Sequence, residues 1–197
     1  MWDERYAGER YFYGTEPNEF LRANTRVIPA GGRVLCLGEG EGRNSVFLAG
    51  LGYSVVALDQ SEVGLAKALQ LARARGVLIT TQPADLASYR IDPGYWDAIV
   101  SIWCHLPSAM RSRVHAQVVS GLKPGGVYLL EAYRPEQLNF GTGGPKSADM
   151  LPTLAQLRTE LAGLTFEHAA ELERDVQEGQ GHSGRSAVVQ VLARKAA

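Results

Sequence analysis

The chain is poor in cysteine, with two in 197 residues, Cys36 and Cys104, each in an apolar setting and neither in a Cys-x-x-Cys spacing. That argues against a disulfide framework, a structural metal or a redox pair, and makes buried thiols in a reducing cytoplasm the expectation. It has no excess of either charge: 20 Lys and Arg stand against 21 Asp and Glu, with no dense basic block. Nucleic acid and anionic membrane surfaces are recognised by basic stripes, so neither is an expected partner. No apolar run approaches the roughly 20 residues that span a bilayer. The first residues, Met1-Trp2-Asp3-Glu4-Arg5-Tyr6, carry no apolar signal-peptide core. Repeats and domain linkers are absent too, and the length suits one domain with a sizeable core.

What is present is an alternation of strand and helix signals. Residues 1–29 are rich in aromatics and charges and read as a cap of one or two short helices, with a turn at Gly14-Thr15-Glu16-Pro17. From residue 30 a core begins. Strands are expected at 34–37, 53–58, 77–81, 96–102 and 127–132. Helices are expected at 44–51, at 62–75 with Val63, Ala66, Leu69, Ala72 and Arg73 at helical spacing, and from Pro107 to about residue 122. Near-continuous apolar strands separated by helices predict a parallel sheet covered on both faces. Residues 135–152 form a long irregular loop of the kind that is functional or mobile. After a helix at 154–161, strands at 164–176 and 186–194 are joined too closely for a parallel crossover and so predict an antiparallel hairpin. The expected fold is a Rossmann-like, seven-stranded, mostly parallel α/β sheet closed by that hairpin.

The first strand, Arg33-Val34-Leu35-Cys36-Leu37, ends at Gly38-Glu39-Gly40-Glu41-Gly42. Glycines there tolerate positive φ and, having no Cβ, let a ligand approach the backbone. Ligands in doubly wound sheets lie beyond the carboxyl ends of the strands, near the switch point. Asp59 ends the second strand, where a carboxylate can accept from both ribose hydroxyls; Asp85, near the third tip, is placed for an adenine amine, with Leu86 against the ring. The structural reading of each aspartate is a helix cap or turn residue. Ser61 is a plausible N-cap for the following helix.

These residues resemble a known family. Val34-Leu35-Cys36-Leu37-Gly38-Glu39-Gly40-Glu41-Gly42 looks like the first motif of class I S-adenosylmethionine-dependent methyltransferases. Leu58-Asp59-Gln60-Ser61 resembles their ribose-binding motif, Ala84-Asp85-Leu86 the adenine-binding one, and Leu122-Lys123-Pro124-Gly125-Gly126 the turn before the fifth strand. The N-terminal aromatics and short C-terminal half are similar to the small tellurite and thiopurine methyltransferase branch. The resemblance implies S-adenosylmethionine as cofactor, held by Gly38, Glu39, Gly40, Gly42, Asp59, Gln60, Ser61, Ala84, Asp85, Leu86, Ile102 and Trp103. It implies methyl transfer by in-line displacement to a small-molecule acceptor, a soft nucleophile or an oxyanion. One departure stands out: the family usually has an acidic residue at the position of Cys36, which Glu39 or Glu41 would have to replace electrostatically. A nicotinamide dehydrogenase fits less well, because the loop reads GxGxG where its fingerprint is GxGxxG.

On the acceptor side, His105 is a candidate base or orienting donor and Trp103 a pocket wall, with the alternative that His105 binds a loop carbonyl. The hairpin tip, Glu178 to Arg185, places three glycines around His182 and Arg185, two candidates for binding an anionic acceptor, with Lys146 a weaker partner. A plain solvated turn is the alternative. A non-catalytic cofactor-binding or interaction protein on the same scaffold is the competing function.

Overall fold

The computed structural model describes residues 2–197. The chain runs α1 (Trp2–Tyr6), α2 (Glu19–Asn24), β1 (Arg33–Leu37), α3 (Arg43–Gly50), β2 (Ser54–Asp59), α4 (Glu62–Ala74), β3 (Thr80–Pro83), β4 (Trp96–Ile102), α5 (Ser108–Gly121), β5 (Leu122–Tyr133), α6 (Leu154–Glu160), β6 (Leu164–Glu178) and β7 (His182–Lys195). The seven strands form one sheet in the order β3-β2-β1-β4-β5-β7-β6. β1 to β5 are mutually parallel, and β7 enters antiparallel between β5 and β6.

The period of two along β1 explains the layering. Leu35 and Leu37 face a cluster completed by Val114 and Val118 of α5 and Leu157 and Leu161 of α6. Val34 and Cys36 face the other side, against Phe20 and Leu21 of α2 and Leu48 of α3. A strand sandwiched between two helical layers must be apolar at every position, which is why this one is legible as a run. The strand order reverses between β1 and β4, so the carboxyl ends of those strands open onto the switch point.

Three expectations are corrected. The third strand is shifted to Thr80–Pro83; residues 77–79 lie outside it, and Leu78 is exposed. It is an edge strand, where the missing N–H of Pro83 leaves no ladder bond unmade. The buried face of α4 is Gly64, Leu65, Lys67, Ala68, Leu71 and Ala72, whereas Ala66 and Arg73 are exposed. The apolar set read from the sequence is therefore out of phase, because Lys67 is buried for its charge. The hairpin strands run to Glu178 and from His182, leaving a three-residue tip where a longer loop was expected. Among the described residues no helix is long and apolar enough to cross a membrane.

Candidate active site

The glycine loop is shaped by its packing as well as its dihedrals. Gly38, Gly40 and Gly42 all have positive φ. A Cβ on Gly38 would stand 2.7 Å from Cys104 Sγ, on Gly40 2.6 Å from the Tyr6 hydroxyl, and on Gly42 2.4 Å from Ala68 Cβ. Gly42 is also the N-cap of α3. The Glu39 N–H donates to Leu58 O at 3.0 Å, tying the loop to the end of β2.

Asp59, at that end, is buried. Its two carboxylate oxygens accept from Gly40 N and Ser61 N, each at 2.8 Å, so one side chain splints the glycine loop to the start of α4. Burial raises its pKa, and those N–H groups oppose the rise. Ser61 caps α4 by accepting from Gly64 N, and its hydroxyl donates to Asp3 at 2.5 Å. Gln60 is exposed. Ala84 N donates to Asp59 O, which sets the third strand tip beside the second. Asp85 is exposed and accepts from Ala87 N in a tight turn, while Leu86 packs into the core layer of α5.

The N-terminal cap roofs this loop. Tyr6 is buried over Gly40 and Gly64. Lys67 Nζ donates to the carbonyls of Gly8 and Arg10 at 2.8 Å and of Tyr6 at 3.3 Å, and pairs with Glu41 Oε1 at 2.5 Å. Glu41 Oε2 accepts from Phe12 N at 2.7 Å. The hairpin tip closes on the same segment: Gln180 N donates to Phe12 O, and Gly181 lies against Tyr13 so closely that a Cβ would meet the ring at 2.2 Å.

At the tips of β4 and β5, where the acceptor was expected, lies a stack of rings. Trp103 follows buried Ile102 with φ of 56°, the one non-glycine positive φ among the described residues. Strain of that kind, about 1–3 kcal/mol, persists where surroundings over-determine it. Its N–H donates to Glu131 O, its indole N–H donates to Glu178 at 2.5 Å, and its ring lies 4.4 Å from Tyr133 and 4.9 Å from His182. Tyr13 stacks on His182 at 4.6 Å, and the Tyr133 hydroxyl is 2.7 Å from His182 Nδ1. Burial, with Arg43 nearby, pushes His182 down to about 2, so its imidazole is neutral. The Cys104 thiol is pushed up to about 12 by burial and then by Asp59, which leaves it a packing group.

Two expected acceptor residues are placed differently. His105 Nε2 accepts from Tyr133 N at 3.0 Å, its ring also bonds the Trp103 backbone, and burial lowers it to about 4. It stitches the β4–α5 loop to β5, which is the structural alternative to a base. Arg185 lies three residues from His182, so strand alternation sends the two to opposite faces. Its guanidinium pairs with Glu173 at 3.1 Å and is exposed. Lys146 is likewise exposed, and the loop that carries it is fastened through Thr142 to Ser183, Arg185 and Gln137.

Sequence reading missed the charged cluster beneath these rings. Asn18 Nδ2 donates to both Glu131 and Glu178; Arg43 pairs with Glu178 and Arg174 with Glu131. The one signal available was Glu131, a lone carboxylate inside the apolar run 127–132.

Residues 34–126 match the protein family described as a methyltransferase domain. The glycine/sarcosine N-methyltransferase of Halorhodospira halochloris is 33% identical over 135 residues, 66% of this chain and 47% of that protein. Both matches are to methyltransferases, and the family model covers β1 to the start of β5. The chain spans about half the length of that curated relative. A structure from work on converting a disulfide bond into a thioacetal group during echinomycin biosynthesis superposes with a TM-score of 0.79, covering 98% of this chain and 88% of that one at 20% identity. TehB from Haemophilus influenzae gives 0.74, covering 98% and 65%, again at 20% identity. At that identity the likeness is one of fold: the mostly parallel seven-stranded sheet with its antiparallel C-terminal strands is the methyltransferase sheet.

Proposed function

We propose that this methyltransferase moves a methyl group from S-adenosylmethionine to a small soft nucleophile, a thiol or an amine. The observation that carries the reading is the splint of Asp59 across the glycine loop and the α4 N-cap, at the switch point of a methyltransferase sheet. The residues fit this donor: positive-φ glycines let a ligand approach the backbone, and the carboxylates of Glu39, Asp59 and Asp3 on the loop and its flank suit a molecule that carries a sulfonium. When bound, S-adenosylmethionine supplies a methyl group already activated for displacement. Gly38, Gly40 and Gly42 would cradle its methionine side, and Asp59 with Ser61 its ribose.

The chain's own contribution is then alignment and exclusion of water. Tyr6 and the segment held by Lys67 and Glu41 cover the loop, while Trp103, Tyr133, His182 and Tyr13 wall the acceptor side. These rings are uncharged, and the guanidiniums of buried Arg43 and half-buried Arg174 are committed to Glu178 and Glu131. That composition supports an acceptor with a lone pair over an oxyanion. The relative's amine acceptors and the resemblance to thiopurine methyltransferases point the same way. His182, held neutral, orients the acceptor through a ring nitrogen, so turnover should follow the acceptor's own ionisation.

A radiolabelled methyl-transfer screen over thiols, amines, selenite, tellurite and small phenols tests this, alongside a thermal shift with S-adenosylhomocysteine. Transfer to a thiol or amine is expected. Binding without transfer to any of them would leave a cofactor-binding protein, and no shift at millimolar S-adenosylhomocysteine would end the reading.

A further inference from the structure

Residues 7–13 of the cap belong to no helix or strand, so their backbone groups lack ladder partners and are satisfied from outside. One buried ion pair does most of this. Lys67 of α4 gives its ammonium hydrogens to the carbonyls of Tyr6, Gly8 and Arg10, at alternate positions along the segment. Glu41 lies in the glycine loop, between Gly40 and Gly42, and its Oε1 is the counter-charge to that ammonium. Its Oε2 takes the N–H groups of Phe12 and Tyr13 at 2.7 and 3.4 Å. A cation therefore serves the carbonyl side of the segment and an anion its N–H side. Tyr11 completes the wrap, its ring 4.9 Å from the ammonium and its hydroxyl donating to Lys67 O.

The carboxylate of Glu41 is thus turned out of the loop and toward the cap, and what it holds there bears on the rings. Tyr13 stacks on His182 with centroids 4.6 Å and planes 23° apart, and Phe12 O accepts from Gln180 N at 2.8 Å. Two further contacts touch Tyr13: Arg5 Nη1 donates to its hydroxyl at 2.9 Å, and Gly181 lies against its ring. The Arg5 bond is exposed, and the Gly181 contact has no directionality. The bonds to Glu41 are charge-assisted, and Glu41 is only 4% exposed. Hydrogen bonds are strongest in that setting, and their loss is costliest.

We propose that Glu41, clamped by Lys67, is a positioning residue for methyl transfer: a side chain of the donor loop fixes the backbone of Phe12 and Tyr13, and so sets the Tyr13 ring against His182. Donor loop and acceptor wall are then one unit, and the gap an acceptor must fit is fixed from the donor side. This rests on the reading of the loop as an S-adenosylmethionine cradle and of the rings as the acceptor wall.

The test reads the ring stack directly. In the wild type, NMR of isotope-labelled histidine should show the His182 ring protons shifted upfield by the Tyr13 face, with the signal assigned by its loss in His182→Asn. Glu41→Ala/Lys67→Met removes both charges together, so that neither is left buried alone. In that variant the His182 signals should move toward those of a free histidine, and the Phe12 amide should exchange at least about tenfold faster. S-adenosylhomocysteine should bind within about threefold of wild type by calorimetry, because Glu41 faces the cap. For the acceptor that the methyl-transfer screen yields, KM should rise at least about tenfold, while the donor's KM stays within about threefold. Glu41→Gln/Lys67→Met returns a neutral oxygen to the Phe12 N–H and should recover part of the His182 shift. Where a melt shows the alanine variant unfolded, the glutamine variant is compared with wild type and should move each signal the same way by less. Arg5→Ala should leave the His182 signals in place. Unmoved His182 signals in the pair variants overturn the proposal, and so does an equal displacement in Arg5→Ala. Loss of S-adenosylhomocysteine affinity by about tenfold with the stack intact also overturns it, by giving Glu41 to the donor. Failure of the wild type to bind S-adenosylhomocysteine would instead remove the cradle reading, with the stack still measurable.

Discussion

Asp59 shows how much one side chain can hold in this site. Among the described residues it makes no ion pair with Lys, Arg or His, and its stabilisation comes from N–H groups of the glycine loop and of the α4 N-terminus. Those groups sit where a helix start favours an anion. Asp59→Asn keeps the volume but replaces one acceptor oxygen with a donor, facing either Gly40 N or Ser61 N with a like group. Charged hydrogen bonds contribute about 1.5–3 kcal/mol each. The variant should therefore weaken S-adenosylhomocysteine about 10- to 100-fold while the β-sheet core melts within a few degrees of wild type. Calorimetry and a melt on one preparation check both halves. The aspartate was legible because it ends an apolar strand after a glycine loop. Its second role, gripping the loop itself, was not, since hydrogen bonds to backbone leave no residue pattern.

At the scale of elements, the seam between α5 and α6 is held by charge. Glu160 accepts from Arg111 Nε and Nη2 at about 3 Å and lies 2.7 Å from His115 Nδ1, whose other ring nitrogen meets the Tyr128 hydroxyl. Burial pushes the carboxyl up, but the His115 and Arg111 bonds outweigh it and bring it down to about 2. A carboxyl depressed on folding contributes stability above its unfolded pKa and loses it as pH falls through the folded value. Glu160→Gln should cost about 1–2 kcal/mol at pH 7, allowing for solvent screening of a partly exposed pair. The gap to wild type should narrow from about pH 4.5 downward and be nearly gone near pH 2; a gap that widens in acid would refute the assignment. The sequence placed α5 after Pro107 and α6 at 154–161, and it announced β1 and β4 as apolar runs, because both faces of those strands are covered. It misplaced the buried face of α4 because Lys67 spends its charge on carbonyls of residues 6, 8 and 10, a contact no helical periodicity encodes. The hairpin tip was legible as unusual from its glycines, and the reason is now physical: Gly179 and Gly181 admit Phe12 and Tyr13 at distances a Cβ would forbid.

Across the whole molecule, the cap, the sheet and the hairpin meet at Glu178. It takes the Trp103 indole N–H, the Asn18 amide and Arg43, while Arg174 reaches it at 3.5 Å on the way to Glu131. Asn18 and Glu178 are 160 residues apart, so nothing local in the sequence could reveal the pair. Two carboxylates and two guanidiniums balance here, and removing one member leaves a buried cation without its partner. Such a loss costs about 3–5 kcal/mol. For a chain of this size each kcal/mol shifts the melting temperature by about 2–4 °C. Glu178→Ala should therefore lower Tm by about 6–20 °C at pH 7. It should also release the indole of Trp103, seen as a change in its fluorescence, and slow methyl transfer by loosening the ring wall. Arg43→Met in the same background removes the stranded cation and should restore part of the lost Tm without restoring the indole bond. Recovery of stability with turnover still depressed would separate the cluster's two roles, balancing charge beneath the site and aiming the rings above it.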